Sequence, residues 1–300
     1  METSINCKLL LYADDSALLV SHKDLDHIAS VLGRELESCN NWLIDNKLSL
    51  HPGKTECILF ASKRKLNKAK NFKITYNNQD ILASKSVKYL GIDLDQSLSG
   101  LKIVQNIIKK TNSRLKFLYR QANFLNLKSR KILCSALILC HFDYSCSSWY
   151  SGITQTLKNK LQVAQNKTVR FILEMEPRSH IGQAELDSLH MLNVNSRVKQ
   201  LRLNHVFKIF NNSSPDYLSH KFIKISSVHN HQTRGSIHNF QIPRVNGAAA
   251  CTFYANAIKD WNSLPSHKQN ITKLCTFKIS IKDFLSTKSK DVENCMFVYY

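Results

Sequence analysis

Apolar positions change their period along the chain, and the change divides it. Two short apolar runs, Leu9-Leu10-Leu11 and Ala17-Leu18-Leu19-Val20, bracket the tetrapeptide Tyr12-Ala13-Asp14-Asp15. Runs of that length around turn-forming residues predict a β-hairpin with two carboxylates at its tip. From Lys23 to Leu43 the apolar side chains fall at three- and four-residue steps: Leu25, Ile28, Leu32, Leu36, Cys39 and Leu43. That spacing predicts one helix with an apolar stripe, with Ser21 as its cap and Asp24 three residues on. Asn46 and Pro52-Gly53 mark breaks. Lys54 to Phe60 reads as a strand. Phe72 to Tyr76 and Ile81 to Ala83 read as a second hairpin around Asn77 to Asp80, and Val87 to Leu94 as a further strand.

After Gly100 the period becomes helical. Leu101 to Leu125 places Val104, Ile107, Ile108, Leu115 and Leu118 on one side and Lys102, Asn106, Lys109, Ser113, Lys116 and Arg120 on the other. Lys128 to Trp149 is apolar nearly all round, which predicts a buried helix. Further helices are predicted over Gln155 to Leu173, stopped by Pro177, and over Asn195 to Phe210. Asn211 to Pro243 reads as looser chain. A final helical pair is predicted over Ala248 to Leu264 and Thr276 to Leu285. The fold class is therefore α+β: short antiparallel strands with a helix, then a mostly helical region. Breaks in organisation fall near Asp95 to Gly100 and near Pro177 to Gly182.

Composition supports long helices, with only 8 Gly and 5 Pro in 300 residues. At 43% hydrophobic residues the chain can bury a core. Charge adds more. Against 42 Lys+Arg stand 22 Asp+Glu, a formal net charge of +20. Such an excess points to a polyanionic partner, most simply nucleic acid; solubility alone is the competing reading. From Gln96 to Leu173 the one acidic residue is Asp143, and from Tyr217 to Lys259 there is none. Surface helices usually mix both signs, so a one-sign helix reads as a track for a phosphate backbone. Lys102, Lys109, Lys110, Arg114, Lys116 and Arg120 are its candidate contacts, with an ordinary solvated face as the alternative. A second basic cluster is the loop Lys63-Arg64-Lys65 with Lys68, Lys70 and Lys73, weak evidence for a nucleic-acid contact or nuclear import.

The apolar run Ile132 to Cys140 is too short to span a bilayer, and the N-terminus lacks a signal-peptide pattern. The reading is a soluble intracellular protein, with a nuclear destination open. The 9 cysteines are expected reduced. Cys134, Cys140 and Cys146 lack the Cys-x-x-Cys spacing of a zinc site and read as small buried hydrophobes on a helix. His229 and His231 read as part of a solvated loop.

Adjacent Asp residues repel, and a divalent cation would offset that cost. Mg²⁺ takes carboxylate and phosphate oxygens in one shell, and two such ions can clamp the attacking and leaving oxygens of a phosphoryl transfer.

The surroundings of the acidic pair carry a family likeness. Leu11-Tyr12-Ala13-Asp14-Asp15-Ser16 matches the catalytic palm hairpin of the reverse transcriptases of non-LTR (LINE-type) retrotransposons, the jockey-like group in particular. Trp42 with Asn46 to Glu56 resembles the next palm motif, and Val87 to Ile92 the strand leading to the thumb. The basic helices around Arg114 to Trp149 resemble the thumb. Asp187-Ser188-Leu189, Arg197, Phe207 to Phe210 and Pro215 to Leu218 resemble the region beyond it. Thr233-Arg234, Ile242-Pro243-Arg244 and Trp261-Asn262-Ser263-Leu264-Pro265 resemble the family's C-terminal tail.

The resemblance implies a palm part at 1–97, a helical thumb-like region at 98–178 and a C-terminal, mostly helical region at 179–300. It implies RNA-directed DNA synthesis with Mg²⁺, or Mn²⁺ in its place, on an RNA template and DNA primer or an RNA–DNA duplex, with no membrane partner. Asp14 and Asp15 would hold metal, while Tyr12 and Ala13 would lie beside the nucleotide. Lys54 matches a palm lysine that acts as general acid toward the leaving pyrophosphate, with a plain phosphate contact as the alternative. The family's palm also uses a metal-binding Asp on an earlier strand, and before the hairpin the sole acid is Glu2. The expectation is therefore a C-terminal piece of such an enzyme, inactive alone. A non-catalytic basic nucleic-acid-binding module and a structural or interaction remnant stand beside it. The oligomeric state is left open.

Overall fold

A computed structural model describes residues 7–69, 71–77, 79–211, 216–228 and 239–296. The chain divides into two compact units, Met1–Ile103 and Val104–Tyr300.

The first unit is built on three antiparallel strand pairs. β1 (Cys7–Tyr12) pairs with β2 (Asp15–Val20) in register from Cys7 opposite Val20 to Tyr12 opposite Asp15. The chain then enters α1 (Leu25–Asp45). Its cap is Asp24, whose carboxylate accepts from the Asp26 N–H, rather than Ser21. The buried seam of α1 is Ile28, Val31, Glu35 and Cys39. The expected Leu25, Leu32, Leu36 and Leu43 sit half-buried at its margin. Ile28 packs with Cys57, Phe72 and Ile74, which form the small core of this unit. The helix comes close to the next hairpin, because a Cβ on Gly33 would lie 3.3 Å from the Thr75 carbonyl oxygen.

Lys54 to Phe60 is not a strand. Pro52–Lys54 is a 3₁₀ turn, and only Cys57 bridges, to Ala83. The Cys57 carbonyl also accepts from the Ser84 N–H at 2.8 Å, but no ladder beyond this bridge forms among the described residues. Lys63–Lys68 is a short helix, α2, rather than a loop; Lys70 lies outside the described residues. β3 (Lys73–Tyr76) and β4 (Gln79–Leu82) form the second hairpin, with Asn77 at positive φ. Its turn is shorter than expected, because Gln79 and Asp80 join the ladder. There the Asp80 carboxylate accepts from Lys73 at 2.6 Å and Thr75 at 2.9 Å. Val87 to Leu94 folds back on itself as β5 (Ser86–Tyr89) and β6 (Ile92–Asp95). Leu90 and Gly91 both take positive φ, 45° and 77°, as a type I′ turn requires. The apolar alternation concealed a Gly at the place where it permits the reversal.

Asp95 ends this unit's last strand. It accepts from the backbone and hydroxyl groups of both Ser97 and Ser99 at 2.7–3.1 Å. Burial alone would raise its pKa, yet these bonds together hold it below the usual carboxylate range. A depressed folded pKa contributes stability above the unfolded value and loses it as pH falls through the folded one. Acid titration of Asp95→Asn is expected to show a flatter loss of stability below the usual carboxylate range than the parent protein.

The second unit is helical. α3 (Leu101–Arg120) buries Val104, Ile107, Thr111, Leu115 and Leu118, close to the expected side, and passes into a 3₁₀ turn at Ala122–Phe124. The segment read as one buried helix is broken. α4 (Leu127–Cys134), a π turn (Ser135–Leu139), α5 (Cys140–Asp143) and α6 (Cys146–Trp149) follow each other, with Ser145 left-handed at φ 49° between the last two. It is also not apolar inward all round: Ile132 and Tyr144 are more than half exposed. α7 (Gln155–Leu173) has the expected bounds and Thr154 as its cap. It stops at Glu174, left-handed at φ 58°, before Pro177 is reached.

α8 (Gln183–Ser188) had no strong apolar period and was not expected. α9 (Val194–Phe210), capped by Asn193, is followed by α10 (Asp216–Ser219). Then come α11 (Phe253–Asn262), α12 (Ser266–Gln269) and α13 (Leu274–Met296). α9 is the hub, packing on α6, α7, α11 and α13. Phe207, Phe222, Phe240, Trp261, Phe277 and Ile281 dominate the core around its second half.

That core gives the Trp261-Asn262-Ser263-Leu264-Pro265 stretch a structural role. Asn262 donates to the Phe240 carbonyl at 2.8 Å and accepts from its N–H at 2.9 Å, on the edge of Phe240 away from its antiparallel bridge to Lys224. Trp261 and Leu264 are buried beside it.

Cys134 and Cys146 are buried, and burial pushes both thiols up to about 12. Cys140, expected inside with them, is exposed, as is Cys275. Reaction of the native protein with an aromatic disulfide reagent, followed by peptide mapping, is expected to label Cys140 and Cys275 first. Cys134 and Cys146 should react only on unfolding.

Candidate active site and nucleic-acid face

Alternation along the first hairpin decides what its tip presents. Cys7, Leu9, Val20 and Leu18 share the face turned toward α1 and are buried or half-buried. Lys8, Leu10, Tyr12, Leu19 and Asp15 lie on the opposite, open face. Tyr12 is 66% exposed and stands directly opposite Asp15. Ala13 and Asp14 form the two-residue turn. Ala13 has a positive φ, 51°, a region that favours glycine, and Asp14 does not. Both carboxylates are solvent-exposed, and among the described residues neither makes a hydrogen bond or ion pair.

The structure thus brings Tyr12, Ala13, Asp14 and Asp15 together. Lys54 sits exposed on its own 3₁₀ turn, its N–H bonded to the His51 carbonyl at 3.0 Å. No hydrogen bond or ion pair joins it to Asp14 or Asp15 among the described residues. Glu35 is the acid that α1 brings to this hairpin, but at the wrong end. Its charge adds to burial in raising the Cys7 thiol, and Cys7 lies five residues from Tyr12, roughly 17 Å of strand. Among the described residues no group of three or more His, Cys, Asp or Glu stands together as a metal site.

The six basic candidates on α3 separate into two kinds. Lys109, Lys110, Lys116 and Arg120 are exposed and make no ion pair or hydrogen bond among the described residues. Lys102 and Arg114 are engaged. Lys102 lies 3.4 Å from the Asp93 carboxylate and donates to Ser86 at 3.1 Å. Arg114 Nη1 lies 2.8 Å from His141 Nε2. A guanidinium can only donate, so this imidazole nitrogen accepts. Burial first, then the charges of Lys110 and Arg114, lower the His141 pKa and favour that neutral form. Both partners are distant in sequence, so spacing on α3 alone could not have revealed them.

Acidic charge that could quench the free cations is bound elsewhere. Asp143 takes a fork from Arg197 at 2.7–3.2 Å, and Glu174 lies 2.8 Å from Arg130. Sequence reading also passed over Phe117, 60% exposed on α3, and Phe124, 84% exposed in the 3₁₀ turn that follows it. For Phe117 its place off the buried line of α3 was the available signal. His229 and His231 lie outside the described residues. Among the described residues no helix is long and apolar enough to cross a membrane.

Fold and site together define an α+β protein with an exposed acidic hairpin in one unit and a basic helical face in the other. Over 165 residues the chain is 27% identical to the RNA-directed DNA polymerase from mobile element jockey of Drosophila melanogaster. The match takes in 54% of this chain and 17% of that protein. The chain is thus distantly related to non-LTR retrotransposon reverse transcriptases. No family model matches it. No solved structure matches it.

Proposed function

We propose that this chain carries the metal-binding hairpin and the nucleic-acid-gripping helices of an RNA-directed DNA polymerase. The observation that carries the reading is the tip itself: adjacent carboxylates, exposed and without a protein partner among the described residues, on a strained two-residue turn. Hard oxygen donors of this kind fit Mg²⁺ or Mn²⁺, and their exposure leaves room for water and phosphate oxygens in the same shell. When bound, the cation supplies charge neutralisation at the attacking and leaving oxygens of a nucleotidyl transfer. Asp14 and Asp15 would hold it. Tyr12, on the same face as Asp15, walls the site beside the nucleotide. Lys54 offers positive charge or a proton to the leaving pyrophosphate. RNA template and DNA primer are the partners, held through the cations of α3.

Two neighbouring carboxylates supply few of the oxygens that a two-metal clamp uses. The 300 residues alone are therefore expected to bind Mn²⁺ weakly, with a Kd on the order of 10⁻³ M, and to leave a primer unextended. Calorimetry with Mn²⁺ checks the first expectation: binding undiminished in Asp14→Ala and Asp15→Ala would remove the hairpin as the metal site. Incubation with RNA template, DNA primer, deoxynucleotides and Mg²⁺ checks the second. Extension that disappears in those variants would show the chain competent by itself.

A second reading is a non-catalytic module that only binds nucleic acid. The free cations of α3 favour it, since they need nothing from the hairpin.

A further inference from the structure

We propose that the basic face of α3 is a single-strand platform, on which Phe117 and Phe124 stack unpaired bases. The inference rests on the nucleic-acid reading above and names the form of nucleic acid that this face takes. On a helix, residues three and four apart are neighbours, and that places Phe117 between Arg114 and Arg120. Lys110 lies two turns before it, on the same flank. Phe117 belongs to the polar side of the helix, opposite the buried line of Val104, Ile107, Thr111, Leu115 and Leu118. Phe124 follows seven residues on, beyond the end of α3 at Arg120. It sits at the end of the 3₁₀ turn that follows α3 and is the most exposed large apolar side chain among the described residues, at 84%.

Exposed aromatic rings beside unpaired cations divide the work of binding. The cations take phosphates without regard to strandedness. A phenyl ring gains only where a base face is open, which a continuous duplex does not offer along its length. Charge argues for nucleic acid rather than a protein as what covers the rings. Lys109, Lys110, Lys116 and Arg120 have no acidic partner among the described residues, and Asp143, the one acid between Gln96 and Leu173, is held by Arg197.

The test is fluorescence anisotropy on the full chain, with a labelled 20-nucleotide oligo-dT and a 20-base-pair duplex. Phe117→Ala and Phe124→Ala are each expected to weaken the single strand about tenfold. Duplex affinity should move less than twofold, and the salt slope on the single strand should not move. Both side chains are exposed, and far-UV circular dichroism confirms folding. Phe117→Leu and Phe124→Leu keep the apolar area without the aromatic face and should be as weak as the alanine variants. Full strength in the leucine variants would overturn stacking, as would equal losses on strand and duplex. So would unchanged strand affinity accompanied by a dimer-to-monomer shift in sedimentation, which would make the patch a contact between copies. If the parent protein bound the duplex with a steep salt slope and the Phe variants bound oligo-dT normally, only stacking would fail. If it bound neither at low salt, the nucleic-acid reading would fail with it.

Discussion

Replacing Lys109, Lys110, Lys116 and Arg120 together by alanine is expected to flatten the salt dependence of duplex binding by about 3.6 in the slope of log K against log salt. The figure follows from about 0.9 per phosphate neutralised on duplex DNA. At low salt, affinity should fall by roughly two to three decades. The fold should survive, because all four side chains are exposed and make no ion pair or hydrogen bond among the described residues. Lys102 and Arg114 serve as internal controls. Lys102 already faces Asp93 and Arg114 is bonded to His141, so Lys102→Ala and Arg114→Ala should change the slope by less than one. Titrations at several salt concentrations measure all of these. A quadruple variant with the parental slope would mean that phosphates are held by some other face.

Arg130→Ala is expected to destabilise the second unit by about 3–5 kcal/mol, a size typical of breaking a buried charged network. Arg130 is buried, and its guanidinium donates to the carbonyls of Leu125 at 2.9 Å, Ala122 at 2.8 Å and Phe171 at 3.2 Å. Its plane also sits over the Phe171 ring, 5.3 Å from the centroid. One side chain thus ties the turn after α3 to the last turn of α7, and alanine would leave three carbonyls without that donor. Arg130→Lys keeps the charge but not the fork and should recover only part of the loss. Glu174→Ala removes the same residue's ion pair at its exposed end, where such a pair is worth about 1 kcal/mol or less. Urea denaturation followed by far-UV circular dichroism separates the three. Equal small effects would mean that the carbonyls find water.

The contrast between these residues shows what the chain disclosed in one dimension. Period and composition revealed α1, α3, α7 and α9 and the acidic hairpin, because local spacing generates each of them. They did not reveal partners. Arg130 carries no sequence signal that sets it apart from other cations, yet its donors are spent on backbone carbonyls. Glu35, a charged residue, lies in the buried seam of α1 between Val31 and Cys39. The reversal at Leu90-Gly91 and the stops at Ser145 and Glu174 depend on left-handed backbone, which only the glycine signals from sequence. Tyr12, Ala13, Asp14 and Asp15 were legible as a group because one turn holds them. The position of Lys54 relative to them depends on how separate segments pack, and no local pattern encodes that.

Ala13 also limits how this hairpin can vary. A left-handed residue with a side chain costs about 1–2 kcal/mol, so glycine there would relax the turn and any β-branched residue would oppose it. Drift at position 13 is therefore asymmetric: toward glycine it gains stability, and in other directions it threatens the turn itself. Alanine at this position therefore holds the turn at some cost in stability relative to glycine.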